Sequence, residues 1–282
     1  MRALNIRVAQ SHESKIFNEF LGSISMDLPE GRVRKNYSGQ DPLSILSATR
    51  AAPVKGYIFE SLAGGPPIGV ATATEYSRSQ LSRLGLACTS DRAFYLAELR
   101  IDPRADRRAR VEWKRGYREW IERTPVPFLT VVFDENADAI RSFSKSREGI
   151  TYRKIFSYSV FIIRGAYNPA AKTKPASIKD GEDGHWTLEK ENGLTEVFEL
   201  TPLKLSEFEG LLPIPQTAEV RPSALIIGLE SEQASKFKTD LERREFSFIQ
   251  LPATLYEVAL AENVSRIQRI VPQPVELPLD ML

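Results

Sequence analysis

Residues Phe94 to Arg123 constrain this chain more than any other stretch. FYLAELRIDP reads as a buried strand, RADRRARV as a short basic loop and EWKRGYREWIER as a long amphipathic helix. Tyr95, Ala97, Leu99 and Ile101 are expected on one side of the strand, with Phe94, Leu96 and Glu98 on the other. Pro103 ends it, because proline has no N–H to give a ladder. On the helix, Trp113, Gly116, Tyr117, Trp120 and Ile121 share a face, an aromatic stripe suited to a core. A strand that runs into a helix N-terminus presents orphan N–H groups that favour an anion.

The flanking sequence supplies a sheet for this unit. Leu4, Ile6 and Val8 alternate as a first strand, and Ile16, Phe17, Phe20, Leu21 and Ile24 make an apolar helical stripe after Ser11. Asp41-Pro42 caps a short second helix. GYIFESL and IGVATATEY, joined by Ala63-Gly64-Gly65-Pro66-Pro67, predict an antiparallel hairpin. PFLTVVF, Pro127 to Phe133, suits a strand buried on both faces, followed by a helix carrying Ala139, Ile140 and Phe143 and closed by Gly149. Two further strands are expected, Thr151–Phe156 and Tyr158–Arg164.

A segment of small, proline and charged residues from Gly165 to Gly184 reads as a linker. It divides the chain into residues 1–165, a linker over 166–184, and a second unit over 185–282. That unit shows a hairpin signal at Asn192-Gly193 and a strand at Leu225–Leu229. Ser231–Glu245 reads as a helix, Phe246–Leu251 and Leu255–Ala261 as strands, and Val264, Ile267 and Ile270 as one more short helix. Leu225 to Ala261 faintly repeats the strand–helix–strand–strand order of residues 128–163. A partial duplication and an unrelated α+β module both remain open.

Composition excludes several functions. With 282 residues and 42% apolar content the chain exceeds one typical domain of about 100–150 residues. A net charge of +1 implies no global affinity for polyanions. The single Cys88 forms no intrachain disulfide, and neither His12 nor His185 has partners at ligand or triad spacing, so no metal is expected. No apolar run of about 18 residues occurs and the N-terminus has no signal-like apolar core, so a cytoplasmic protein away from membranes is the default.

Read in order, the first 165 residues resemble the GNAT superfamily of acyl-CoA-dependent N-acetyltransferases. YLAELRIDP looks like that family's central strand with its proline stop, and IGVATATEY, with Gly69, like the strand before it. FLTVVFDENADAIRSFSKSREGI is similar to its next strand and helix, through Asn136, Ala139 and Gly149-Ile150. The resemblance implies an α/β (α+β) fold with a GNAT-like mixed central sheet flanked by helices, followed by a second, smaller α+β domain. It implies acetyl-CoA as cosubstrate and an amine acceptor chosen by variable loops, here Ser23–Gln40 and Ser77–Arg92. It also implies pantetheine pairing with Leu99 and Ile101, a pyrophosphate on the loop that opens the helix at Val111, and Glu98 as general base.

This chain departs from the family in that loop. Where Arg/Gln-x-x-Gly-x-Gly/Ala is usual, it has Asp106, Arg107, Arg108, Ala109, Arg110 and Val111. The arginines are either side-chain phosphate ligands or a solvated charge run. Phe143 stands where a tyrosine acid is usual, leaving Tyr152 or Tyr158 in a different geometry. Two further readings stay open: a catalytically inactive GNAT-fold scaffold and, weakest, nucleic-acid phosphate contact through Arg104–Arg118, which lacks an aromatic platform. Oligomeric state, including a homo-oligomer, is left undetermined.

Overall fold

The computed structural model describes residues 4–21, 25–28, 31–36, 41–43, 53–61, 66–102, 104–134, 138, 140–141, 149–167, 185–190, 195–198, 200–213, 224–263 and 265–270. In the first segment, β1 (Leu4–Val8) leads through a 3₁₀ turn into α1 (Ser14–Leu21), followed by β2 (Ser25–Leu28) and β3 (Gly31–Asn36). Then come β4 (Val54–Ser61), β5 (Pro67–Ser77), α2 (Arg78–Arg83), β6 (Leu86–Cys88) and β7 (Arg92–Ile101). After these follow α3 (Arg107–Arg123), β8 (Phe128–Phe133), β9 (Ile150–Arg164) and the short β10 (Ala166–Tyr167).

The second segment begins with β11 (His185–Lys190), β12 (Thr195–Phe198) and β13 (Leu200–Pro202), then a 3₁₀ turn at Leu205–Gly210 and β14 (Leu212–Pro213). It closes with β15 (Ala224–Glu230), α4 (Ser231–Arg243), β16 (Ser247–Leu260) and β17 (Ile267–Arg269).

The principal sheet runs in the order β1-β4-β5-β7-β8-β16-β9-β15-β13. It is mixed: β7 with β8 and β13 with β15 are parallel, and the other pairs are antiparallel. The expected hairpin forms as β4–β5. Both sheets of four or more strands draw on both sides of the linker, since β16 lies between β8 and β9, and β11 pairs with β3. Strand directions also correspond about the central β16–β9 pair. On each side a parallel pair, β7–β8 or β13–β15, abuts an antiparallel partner taken from the other segment.

The two faces of the sheet are filled differently. Trp113, Tyr117 and Ile121 of α3 pack with Phe59, Leu96, Phe128 and Val258 on one face. Phe237 and Leu241 of α4 cover Phe161 and Leu229 farther along. On the reverse face, Phe17 and Leu21 of α1 cover Ile58 and Val70, while Leu81, Leu84 and Ile267 cover Tyr95, Leu129 and Leu255. Gly116 lets α3 approach β1, for a Cβ there would stand 2.8 Å from Leu4 side-chain atoms.

Several expected elements differ. Thr151–Phe156 and Tyr158–Arg164 are one strand, as are the two expected within residues 246–261, because each pairs continuously with the other. A bulge at Ile155 flips the alternation of β9, so Tyr152 joins the α3 face and Phe156 the reverse face. Where a helix was expected through Val264, Ile267 and Ile270, Ile267–Arg269 form the strand β17, paired with β6, and Ile270 is exposed; Val264 lies outside the described residues. Ser23–Gln40, expected as a loop, contains the β2–β3 hairpin. Ser77–Arg92 contains α2, whose N-cap Ser77 accepts from the Gln80 N–H, and β6.

Candidate functional site

The centre of the sheet is built on a fault in β7. Its ladder with β5 runs from Ser77↔Arg92 to Thr72↔Ala97, slips, and resumes at Val70↔Arg100 and Gly69↔Ile101. Glu98 and Leu99 thus oppose Ala71 alone, a bulge that re-aims every later side chain. Glu98 has φ 50, in the left-handed region, a conformation that costs a non-glycine residue about 1–3 kcal/mol. The fault explains why Leu99 and Ile101 pack with Leu96 under α3 while Tyr95 and Ala97 join the reverse face. Simple alternation, which put Tyr95, Ala97, Leu99 and Ile101 together, fails there.

The other edge of β7 opens. It pairs with β8 only at Phe94↔Phe128 and Tyr95↔Leu129, where the Phe94 N–H donates to the Pro127 carbonyl at 2.9 Å. Thr130 Oγ1 then donates to the Leu96 carbonyl at 2.9 Å. Beyond that bond β7 runs on to Ile101 and β8 to Phe133 without further pairing, while β8 stays paired with β16 as far as Phe133↔Ala253. The result is a wedge with Glu98 at the bulge, Leu99 and Ile101 along one wall, and Val131 to Phe133 along the other, all half-buried. A wedge of this kind leaves strand backbone available to an extended amide-bearing ligand.

A bulged strand, a parallel neighbour that diverges from it and a helix linking the two define this sheet. The fold is GNAT-like. No family model matches the chain, and no curated protein matches it. Similar solved structures include a tandem GNAT protein from the clavulanic acid biosynthesis pathway, 9% identical over 93% of this chain and 100% of that one, with a TM-score of 0.47. A GCN5-related N-acetyltransferase from Sphaerobacter thermophilus is 10% identical over 91% and 96% of the two chains, with a TM-score of 0.34. A spermidine N-acetyltransferase from Vibrio cholerae, in complex with CoA and spermine, is 13% identical over 55% and 84%, with a TM-score of 0.35.

After β7 the helix starts earlier than the sequence suggested. It opens at Arg107 rather than Val111, so Arg107, Arg108, Ala109, Arg110 and Val111 form its first turn and the start of the next instead of a loop. The reason is Asp106, whose carboxylate accepts the Ala109 N–H at 2.7 Å as an N-cap. Arg110 turns back, its Nε donating to the Ala105 carbonyl at 2.9 Å, and Arg108 is held by Glu112 at 3.1 Å. Ala109 packs inward against the Trp113 cluster, and Val111 is 45% exposed. A shallow depression of about 580 Å³ is lined by Arg107, Arg108, Val111, Glu112 and Arg115. Arg107 and Arg115 are exposed, with no ion pair to another described residue. Asn136, Ala139 and Phe143 lie outside the described residues.

The two tyrosines weighed as proton donors do not meet Glu98. Tyr152 lies in the row Phe94–Phe128–Val258–Tyr152, at the closed end of the β7–β8 ladder. It shares a hydrogen bond with Tyr117, and burial pushes both hydroxyls above their ordinary range. Tyr158 sits in the row Phe133–Ala253–Tyr158 on the reverse face, its buried hydroxyl without a hydrogen-bond partner among the described residues and also pushed up, first by burial and then by Tyr95. Glu257, which the sequence did not single out, is buried at 1% exposure but committed to structure. It accepts from Ser265 Oγ at 2.6 Å and the Arg266 N–H at 2.9 Å.

Regular alternation along β7 does not anticipate the bulge. A signal for the bulge was present: the apolar residues Phe94, Leu96, Leu99 and Ile101 are spaced two, three and two apart. No cluster of three metal-ligating side chains occurs among the described residues, and none of their helices is long and apolar enough to cross a membrane.

Proposed function

We propose that this chain transfers an acyl group from acetyl-CoA, or a related acyl-CoA, to an amine. The observation that carries the reading is the wedge between β7 and β8 with the bulge at Glu98 beside it. Leu99 and Ile101 would pair with the pantetheine amides through backbone groups facing the wedge. Arg107, Arg108 and Arg115 line the depression at the helix end and would hold phosphates through side-chain bonds. The bound thioester supplies an activated acyl carbon. Glu98 takes a proton from the acceptor amine, directly or through water, so that its lone pair can attack that carbon. A C–N bond would form, the C–S bond would break, and the proton that the attacking nitrogen still has to lose would pass, directly or through water, to the departing thiolate.

Asp106 favours a second reading, a GNAT-like scaffold without catalysis. Its carboxylate occupies one of the helix N–H groups that a pyrophosphate would use, and adds a negative charge there. Titration with acetyl-CoA and desulfo-CoA, then thiol release with a panel of amines, separates the two. The transferase reading expects measurable binding and release, with Glu98→Gln lowering kcat at an unchanged Kd for acetyl-CoA. No binding at millimolar ligand leaves the scaffold reading. We also read residues 185–282 as a degenerate partial repeat, supported by the corresponding strand directions on the two sides of the β16–β9 pair.

A further inference from the structure

Arg100, at the wedge, makes no ion pair to another described residue. It stands directly opposite Val70, which packs with Phe17, Leu21 and Ile58 beneath α1, so the bulge turns Arg100 onto the α1 face. Leu99 and Ile101, beside it, pack on the α3 face. Arg100 is half-buried, and its Nε is buried with no hydrogen-bond partner among the described residues. The nearest following carboxylate, Asp102, is already committed. Arg104 donates to it from its backbone N–H at 2.8 Å and from two guanidinium nitrogens at 3.0 Å each. Thr72 and Thr74, on the same face of β5, are buried and carry no charge.

A guanidinium whose Nε is desolvated and unpaired beside the apolar Val70 cluster contributes little to the fold and is suited to an incoming anion. Its planar fork matches a carboxylate in two parallel bonds. Two residues before it lies Glu98, so one short stretch of β7 offers a proton acceptor and an anion anchor. The α3 end of the cleft carries its own arginines for phosphate, and Arg100 faces away from it.

We propose that Arg100 anchors the carboxylate of the acceptor, so that the substrates are amines that also bear a carboxylate, amino-acid-like in chemistry. This rests on the transferase reading above and names its acceptor class. The full-length protein is assayed with acetyl-CoA against a panel of common amino acids and their primary amides. The anchor predicts a kcat/KM for the preferred acid roughly tenfold or more above that of its amide. Arg100→Gln removes the difference through KM, leaves the acetyl-CoA Kd unchanged and does not lower Tm, while Arg100→Lys retains part of the preference.

Calorimetric titration of the same amino acids without acetyl-CoA gives a readout that needs no turnover. Binding lost in Arg100→Gln supports the anchor even where no transfer occurs, an outcome that counts against the transferase reading alone. Equal rates for acids and amides overturn the proposal, as does a preference that survives in Arg100→Gln. Absence of amino-acid binding in both assays overturns it too. So does a Tm several degrees lower in Arg100→Gln with its preference intact, because Arg100 is then structural.

Discussion

The carbonyl oxygen of Arg100 lies 2.4 Å from the point where a Cβ on Gly69 would stand. The bulge at Glu98–Leu99 presses β7 over β5 at this pair, and only a residue without a side chain fits beneath it. A backbone atom, unlike the tip of a side chain, has little freedom to give way.

Gly69→Ala is therefore expected to destabilise the protein by about 1–3 kcal/mol. Urea unfolding measures that loss. The relief available is to flatten the bulge, so acetyl-CoA affinity should fall in the same variant. A variant of unchanged stability and unchanged affinity contradicts the close approach.

Asp106 gives two effects that separate by substitution. Asp106→Ala removes the cap on the Ala109 N–H and should cost about 1 kcal/mol. Asp106→Asn keeps a capping oxygen but removes the charge, so stability should change little while CoA binds more tightly than to the wild type. Calorimetry at two salt concentrations checks this, because a charge effect shrinks as salt rises. Equal affinity for wild type and Asp106→Asn would place the phosphates away from the helix end.

The insertion of β16 makes the two segments interdependent. β8 and β9 do not pair with each other; each pairs with β16. A chain ending at residue 167 leaves both edges open and uncovers Leu129 and Phe156, so it should aggregate. Co-expression of residues 168–282 should restore soluble protein that elutes as a single complex. Soluble yield and size-exclusion chromatography measure both, and a well-folded isolated 1–167 fragment would refute the dependence.

Acid stability should depend on the Arg7–Glu13 pair. Two Arg7 nitrogens bond the Glu13 carboxylate at 2.6 Å each, and the Gln10 N–H adds a third bond at 2.8 Å. Arg7 first, then the Gln10 N–H, lower the Glu13 pKa from 4.5 to about 2. A lowered carboxylate pKa contributes stability that is full above 4.5 and lost as pH falls through about 2. Glu13→Gln should be less stable than wild type at pH 7, with the difference fading between pH 4.5 and pH 2. Urea midpoints at several pH values test the slope.

Much of the architecture was legible because it depends on local pattern. The aromatic stripe of α3, the β4–β5 hairpin and the apolar strand at Phe128 follow from period and turn chemistry. The placement of Glu98, Leu99 and Ile101 on a strand was legible, but their orientation was not. Glu98, Leu99 and Ile101 were found on β7, yet the bulge moved Leu99 and Ile101 to the α3 face and turned Arg100 toward α1. The helix starts earlier than its sequence suggests because Asp106, at the position where the resembled family has a cation or amide, caps it.

The sequence by itself determined a strand, a basic turn and an aromatic helix at Phe94–Arg123, because each follows from spacing within a few residues. Only the tertiary structure decided that the strand is faulted and opens from β8, and that β16 arrives from more than a hundred residues away to support that neighbour. Strand register and strand order are set by partners distant in sequence, and a local pattern carries no record of which partner is chosen.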